Sequence, residues 1–192
     1  LAPNEETIFT ANDDGTARQW DLTCEQVMVF AHGNKNVDVR DVVSSPDGEF
    51  VITVGSDKTA KLWTPDGTLI NTLTGHTEVI FQVLFNPDGQ SLATAANDQT
   101  VKIWNLQGEL LNTLWHPKEI QRMRYSQDGQ QLIVAHGKTP TLWNLDSEVL
   151  QPVPSAMKFQ TLMQQSCTWL QPYLNRAGNL ERDQNLCRNS RQ

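Results

Sequence analysis

Cysteines are scarce in this sequence of 192 residues: there are three, Cys24, Cys167 and Cys187, and they are widely spaced. Such spacing fits neither a disulfide framework nor a zinc site, so a reducing, cytoplasmic location is the expectation. No run of eighteen or more apolar residues occurs, which argues against a helix that spans a membrane. The chain opens at Leu1 without a secretory-type basic and apolar segment.

Basic residues are also scarce up to Leu150, where ten Lys and Arg stand against twenty Asp and Glu. From Gln151 onward the balance reverses, with five basic and two acidic residues. Binding to a polyanion normally depends on Lys and Arg that displace counterions. The acidic part of the chain therefore disfavours nucleic acid as a partner.

Four tryptophans mark an internal repeat. Trp20, Trp63, Trp104 and Trp143 follow one another at intervals of 43, 41 and 39 residues, a period typical of repeat architectures. Residues 96–104 answer residues 55–63 position by position, and residues 12–20 and 135–143 do so more loosely.

The clearest unit contains four strand-like segments, at residues 79–85, 91–95, 100–104 and 109–114. The turn at residues 86–89 reads Asn-Pro-Asp-Gly, in which Pro presets φ and Gly accepts the positive φ of a tight turn. Short strands separated by such turns predict a sheet of four antiparallel strands.

The order of the motifs resembles the WD-repeat family of β-propellers: Gly-His, then Ser-Pro-Asp-Gly at residues 45–48, then a turn Asp six residues before a Trp. The dipeptide that names the family survives once, as Trp20-Asp21. The resemblance implies an all-β fold for residues 1–150, a partial β-propeller of four-stranded antiparallel blades. It divides this region into a partial blade at 1–22 and repeats at 23–65, 66–106 and 107–150, which is three near-complete blades and part of a fourth.

Propellers contain about four to eight blades, more than these repeats supply. We expect the ring to be closed either by upstream blades of a longer parent chain or by self-association of two copies.

Residues 151–192 follow a different pattern and predict a short α-helical tail. Apolar residues recur there at steps of three and four, as on one face of a helix: Phe159, Leu162, Met163, Cys167, Leu170 and Leu174. The tail is similar to the C-terminal tail of bacterial, especially cyanobacterial, signalling proteins that join an NTPase or other effector domain to WD repeats. It either packs against the propeller or contacts another domain.

In this family His, Ser or Thr, Asp and Trp form a hydrogen-bonded structural tetrad. The same residue types could be interpreted as a hydrolase site, but they recur in consecutive units, whereas an active site need occur once. We therefore predict no catalytic residue, no cofactor and no metal ligand. The matching positions are His32, Thr53, Asp57 and Trp63, and again His76, Thr94, Asp98 and Trp104.

The last unit departs from this pattern. Counting back from Trp143 places Ile133 at the hydroxyl position and Gly137 at the Asp position. His116 and Trp143 then lack their usual links, and we predict that this blade is the least rigid.

The resemblance also implies a binding rim at one mouth of the propeller. Within it Phe81 is either an interface anchor or ordinary strand surface. The matching positions are Asp38, Arg40, Ser56, Val79, Phe81, Asn97, Glu119, Gln121 and His136.

These patterns predict a non-enzymatic scaffold or recognition module for a protein partner, the C-terminal part of a larger WD-repeat protein. The alternative is the sensor or autoinhibitory domain of a larger signalling NTPase or effector enzyme. A small-molecule site in the central channel is a third hypothesis.

Overall fold

A computed structural model describes residues 7–145. The helical tail predicted for residues 151–192 lies outside the described part. Strand-forming sequences separated by turn residues give fourteen β-strands in residues 7–145: β1 (Thr7–Ala11), β2 (Thr16–Asp21), β3 (Gln26–Ala31), β4 (Val39–Ser44), β5 (Val51–Gly55), β6 (Ala60–Trp63), β7 (Leu69–Leu73), β8 (Ile80–Phe85), β9 (Ser91–Ala96), β10 (Thr100–Asn105), β11 (Leu110–Trp115), β12 (Ile120–Tyr125), β13 (Gln131–His136) and β14 (Thr139–Asn144).

The strands form four antiparallel sheets in chain order. Sheet 1 contains β1–β3, sheet 2 contains β4–β7, sheet 3 contains β8–β11, and sheet 4 contains β12–β14 among the described residues. Neighbouring strands are consecutive in sequence because short turns can join only antiparallel neighbours. The predicted all-β class and the four-stranded antiparallel sheet of residues 79–114 are confirmed, and the sheets have the strand content of propeller blades.

The turn after the first strand of sheets 2, 3 and 4 repeats the same local chemistry. Gly48, Gly89 and Gly129 have φ angles of 76°, 69° and 72°, a region that glycine enters at little cost. One carboxylate oxygen of the preceding Asp accepts the N–H two residues further on, as Asp47 does from Glu49 and Asp128 from Gln130. The Asp-Gly pair thus fixes the reversal of the chain.

The hydrophobic cores lie between the sheets. Neighbouring residues on the second strand of a sheet face different cores: Val51 packs with sheet 1 side chains, and Ile52 packs with those of sheet 3. Leu92 and Ala93 divide in the same way between sheets 2 and 4. Because both of its faces are covered, β5 is buried along its whole length, and its sequence is an apolar run with little alternation.

Polar side chains on the first strands join each sheet to the next. Asp41 on β4 accepts a hydrogen bond from the backbone N–H of Val83 on β8 (3.1 Å). Gln82 on β8 accepts from the N–H of Met123 on β12 (2.9 Å) and donates to the Met123 carbonyl (3.2 Å). Arg122 stands at the same register position of β12 and is exposed. The first strands therefore carry a polar connection from one sheet to the next.

Candidate functional site

In sheet 3 a chain of hydrogen bonds crosses the interior. The Trp104 indole N–H donates to Thr94 Oγ1 (2.9 Å), which lies 2.8 Å from His76 Nε2. His76 Nδ1 lies 2.8 Å from Asp98 Oδ2. The Asp98 carboxylate also accepts from the Thr100 hydroxyl (2.6 Å) and from the Thr77 backbone N–H (3.0 Å). The structure thus brings together all four predicted tetrad residues of this unit.

The residue types determine which atom donates in each of these hydrogen bonds. Indole N–H can only donate, so the Thr94 oxygen accepts from Trp104 and its O–H is free to donate to His76 Nε2. The proton of a neutral His76 then lies on Nδ1 and is donated to Asp98. Burial lowers the pKa of His76, although Asp98 opposes this. Burial acts to raise the pKa of Asp98, but hydrogen bonds, first from Thr100, outweigh it and lower the pKa.

Sheet 2 contains the same chain of hydrogen bonds with the imidazole turned over. His32 Nδ1 lies 2.7 Å from Thr53 Oγ1, which accepts from the Trp63 indole (2.9 Å), and His32 Nε2 lies 3.1 Å from Asp57 Oδ1. Thr53 and Thr94 are fully buried, so no substrate reaches either hydroxyl. This geometry favours a structural role over nucleophilic chemistry.

Sheet 1 contains only part of this hydrogen-bonded set. The Trp20 indole donates to Thr10 Oγ1 (2.9 Å), and the Asp14 carboxylate is held by Thr16 and Arg18. No histidine of the described residues completes this set.

In sheet 4 the turn between β13 and β14 is one residue shorter than its counterparts. Trp63 pairs with Val51, twelve residues earlier, whereas Trp143 pairs with Leu132, eleven residues earlier. In sheet 2 Thr53 pairs with Lys61, and the corresponding pair in sheet 4 is Val134 with Thr141. Val134 therefore takes the position that the threonine hydroxyl has in the other sheets. The expectation that Ile133 takes the hydroxyl position is wrong by one residue, because counting from the tryptophan assumes a turn of constant length.

The same deletion moves His136 away from the predicted rim. His136 pairs with Ile120, as Gly55 pairs with Val39, so it corresponds to Gly55 rather than to Ser56. A Cβ atom at Gly55 would lie 2.9 Å from His32 Nε2, and this position therefore adjoins the imidazole. His136 is only 7% exposed, and its Nε2 bonds to Thr141. Its assignment to the rim is corrected.

His116 has an altered environment as a result. With no threonine hydroxyl present, the Trp143 indole donates directly to His116 Nε2 (3.2 Å). The His136 ring packs edge-on against His116, with 5.1 Å between ring centroids. His116 Nδ1 is buried and has no hydrogen-bond partner among the described residues. Burial and, second, the nearby His136 lower the pKa of His116 to about 4.

Acid is expected to destabilise the fold through His116. The unfolded chain protonates this imidazole near pH 6.5, whereas the folded chain does so only near pH 4. Between these values the unfolded state binds more protons, so the free energy of unfolding falls as the pH falls. The loss attributable to His116 is roughly 3 kcal/mol by pH 4.

Urea unfolding of the wild type and of His116→Gln across this pH window measures that loss. Glutamine can still accept from Trp143 but does not titrate, so the variant curve should fall less steeply with acidity. His136, which lies beside this imidazole, and Lys118, which acts on His136, are unchanged in both proteins. Parallel curves would contradict the prediction.

The remaining rim positions lie at one end of sheets 2, 3 and 4. Ser56 Oγ accepts from the Asp38 backbone N–H (2.9 Å), and the Asn97 N–H donates to the Val79 carbonyl (2.9 Å). The first strand of each of these sheets has a register shift that leaves one residue without a cross-strand partner. The unpaired residues are Arg40, Phe81 and Gln121.

These bulges matter because an extra residue in one strand re-aims its side chain. Arg40 and Gln121 are exposed, as are Asn97 and Glu119. Phe81 is half-buried and packs against the core between sheets 3 and 4.

Sequence reasoning missed the hydrogen bonds by which Asp41 and Gln82 connect neighbouring sheets. The available signal was a polar residue inside an otherwise apolar first strand, directly after the rim position.

In residues 7–145 no three His, Cys, Asp or Glu side chains are grouped to hold a metal ion. Over the same range no helix is long and apolar enough to cross a membrane.

Comparison with known proteins finds a family match for two of the repeats. Residues 24–64 and 67–105 match the family model described as "WD domain, G-beta repeat". The chain is similar to nuclear distribution protein PAC1-2 of Uncinocarpus reesii, at 36% identity over 76 residues, which are 38% of this chain and 16% of that protein.

Two further relatives show the same partial similarity. Nuclear distribution protein PAC1 of Arthroderma otae is 29% identical over 106 residues, 44% of this chain and 23% of that protein. Eukaryotic translation initiation factor 3 subunit I of Drosophila ananassae is 34% identical over 61 residues, 32% of this chain and 19% of that protein. The chain thus spans less than a quarter of the length of each relative.

Proposed function

Because residues 24–64 and 67–105 are WD repeats, we propose that this chain is a non-enzymatic recognition module that binds a protein partner. Repeats of this family typically serve as protein-interaction scaffolds. The binding surface in this proposal is the rim, defined as Asp38, Arg40, Ser56, Val79, Phe81, Asn97, Glu119 and Gln121.

One observation carries the proposal: three consecutive sheets have a bulge at the same position of the first strand. An exposed bulge places a side chain where no neighbouring strand pairs with it. Arg40, Phe81 and Gln121 thereby repeat along one end of the sheets, as is needed for contact with a partner that extends across several repeats. One relative is named as the subunit of a larger factor, which also supports a role in protein–protein contact.

The rim combines charged, polar and aromatic groups. Arg40 forms an ion pair with Asp38 (2.6 Å), and both side chains are more than a third exposed. Exposed pairs of this kind add little stability but can steer a charged partner and fix its orientation. Half-buried Phe81 supplies apolar area on the adjacent sheet 3.

A triple variant tests the rim. Arg40→Ala, Asn97→Ala and Gln121→Ala, combined in the full chain, are expected to reduce capture of protein partners from the source cell by about tenfold or more. All three side chains are exposed, so the fold should be preserved. Quantitative mass spectrometry of cross-linked complexes measures the change for each captured protein.

The matched control is the triple variant Glu49→Ala, Gln90→Ala and Gln130→Ala. These exposed residues occupy the turns at the opposite end of the same three sheets. Partners lost equally from both variants, or from neither, would argue against the rim as the binding surface.

The resemblance of the tail supports a second candidate, the sensor or autoinhibitory domain of a larger cytoplasmic signalling NTPase or effector enzyme. The rim would then bind another domain of the same protein. The sequence of the parent gene separates the two: a phosphate-binding loop upstream favours the regulated effector, and further repeats alone favour the scaffold.

A further inference from the structure

Sheet 4 lacks a carboxylate that sheets 2 and 3 both possess. In those sheets the turn Asp accepts a hydrogen bond from the imidazole nitrogen that does not face the threonine, as Asp98 does from His76 Nδ1. The shorter turn of sheet 4 contains Gly137 and Lys138 instead. The position beside His116 therefore has no acidic group of its own.

This loss leaves a buried donor without a carboxylate to accept from it. Backbone groups of Leu114 and Gln99 lie near the imidazole and act to raise its pKa, but neither accepts a hydrogen bond of good geometry from Nδ1. The Trp143 indole can only donate, so His116 Nε2 accepts and carries no proton, and a neutral His116 carries its proton on Nδ1. That atom is the one whose counterpart in His76 bonds to Asp98. His116 is 5% exposed, and its Nδ1 is without a partner among residues 7–145. An unpaired buried donor is destabilising, and an added acceptor would remove that cost.

The turn that replaces the Asp has basic side chains around it, which favours an anion there. The Lys118 side chain lies over Gly137, where a Cβ atom would meet Lys118 Cδ at 2.8 Å and Nζ at 3.6 Å. Residues 116–145 contain four basic and two acidic residues, whereas residues 7–115 contain six basic and fourteen acidic ones. Exposed Glu119 opposes this local excess, but Lys118 and Lys138 are closer in sequence to the turn that replaces the Asp.

We propose that the sheet 4 turn site, defined by His116, Lys118, His136 and Gly137, binds a carboxylate from an Asp or Glu side chain of a partner segment. The carboxylate accepts the His116 Nδ1–H and pairs with Lys118, and so takes the place that Asp57 and Asp98 occupy in sheets 2 and 3. Exposed Lys118 swings aside to admit it. This inference rests on the proposed function, because Glu119 and Gln121 of the rim lie at the same end of sheet 4.

Nuclear magnetic resonance of the full chain with ¹⁵N-labelled histidine tests the site. The probes are the acetylated and amidated peptide Gly-Gly-Asp-Gly-Gly, its Asn counterpart, and acetate. We expect the Asp peptide to shift the His116 Nδ1–H resonance and to raise the pKa of His116 by about one unit, and the Asn peptide to do neither. No response of His116 to the Asp peptide or to acetate would overturn the proposal.

The acetate arm identifies the source of the carboxylate. A peptide that acts at about tenfold lower concentration than acetate supports a partner side chain, because the flanking backbone adds contacts. Acetate that acts as strongly as the peptide overturns the assignment to a partner segment.

Two variants and one control variant keep the test specific. Replacing residues 136–138 with Ala-Asn-Asp-Gln, the sequence of residues 96–99, supplies an internal carboxylate and should abolish the response to the peptide. Lys118→Ala should weaken the response several-fold, whereas Lys35→Ala, an exposed lysine in another loop, should leave it unchanged. A graft that responds like the wild type would overturn the proposal. The rim test does not alter this site, so the two can fail separately.

Discussion

Thr94→Val is expected to lower the free energy of unfolding by about 4 kcal/mol. The substitution keeps the side-chain volume but removes the hydroxyl that joins Trp104 to His76. Thr94 is fully buried and Trp104 is 2% exposed, so water cannot replace the lost bonds. The indole N–H and the imidazole nitrogen would each lose this buried partner. The direct bond from indole to imidazole in sheet 4 joins rings whose centroids are 5.7 Å apart, whereas the rings of His76 and Trp104 are 6.5 Å apart and would have to move to form it.

Urea unfolding monitored by tryptophan fluorescence measures this loss, and hydrogen exchange locates it in β9 and β10. The matched control is Thr94→Ser, which keeps the hydroxyl and removes one methyl group, at an expected cost of about 1 kcal/mol. Equal stability of the Val and Ser variants would show that the hydrogen-bond chain contributes little.

Gln82→Ala is expected to destabilise the fold by a similar amount, about 4 kcal/mol, through a different mechanism. The Gln82 amide both accepts from and donates to the backbone of Met123 in the adjacent sheet. Truncation leaves the Met123 N–H and carbonyl unpaired and creates a cavity between β8 and β12. Hydrogen exchange should accelerate in β12 more than in β9.

The control for this second variant is Gln121→Ala, which removes the same amide from an exposed position on the neighbouring strand. It should change the free energy of unfolding by less than about 0.5 kcal/mol. Gln82→Met separates the two contributions, because methionine fills the space without forming either hydrogen bond. If Gln82→Met is as stable as the wild type, the polar joint has no measurable stabilising effect.

Much of this fold could be predicted because the strands and turns obey local chemistry. The strands predicted at residues 79–85 and 91–95 agree with β8 and β9 to within one residue at one end. Pro, Asp and Gly at successive positions fixed the turns between them, since each residue type has its own backbone preference. The repetition of these short signals in three units made the sheets recognisable.

Errors arose where position was inferred by counting across a turn. A one-residue deletion between β13 and β14 moves Val134, not Ile133, to the position of Thr94, and it moves His136 into the interior. Sequence alone does not reveal on which side of a gap a residue belongs. Pairing between strands decides it, because a shift of one residue reverses the face on which each side chain lies.

Contacts between sheets were even harder to predict from the sequence. The sequence of β8 shows Gln82 among apolar residues, but its partner Met123 lies 41 residues further on. Nothing local predicts which backbone groups of that distant strand remain free to bond. The bulges at Arg40, Phe81 and Gln121 likewise depend on pairing with the following strand.

The unit that is copied in the sequence is not the unit that folds. β3 belongs to sheet 1 and β7 to sheet 2, yet each stands at the beginning of the repeat that includes the next sheet's tryptophan. A gene duplication that adds one repeat therefore does not add a separate sheet, because the first strand of the new repeat pairs with the sheet before it. Each new copy is joined to an older one by backbone hydrogen bonds from the start. The array can thus lengthen without an intermediate in which a sheet is attached by side-chain packing alone.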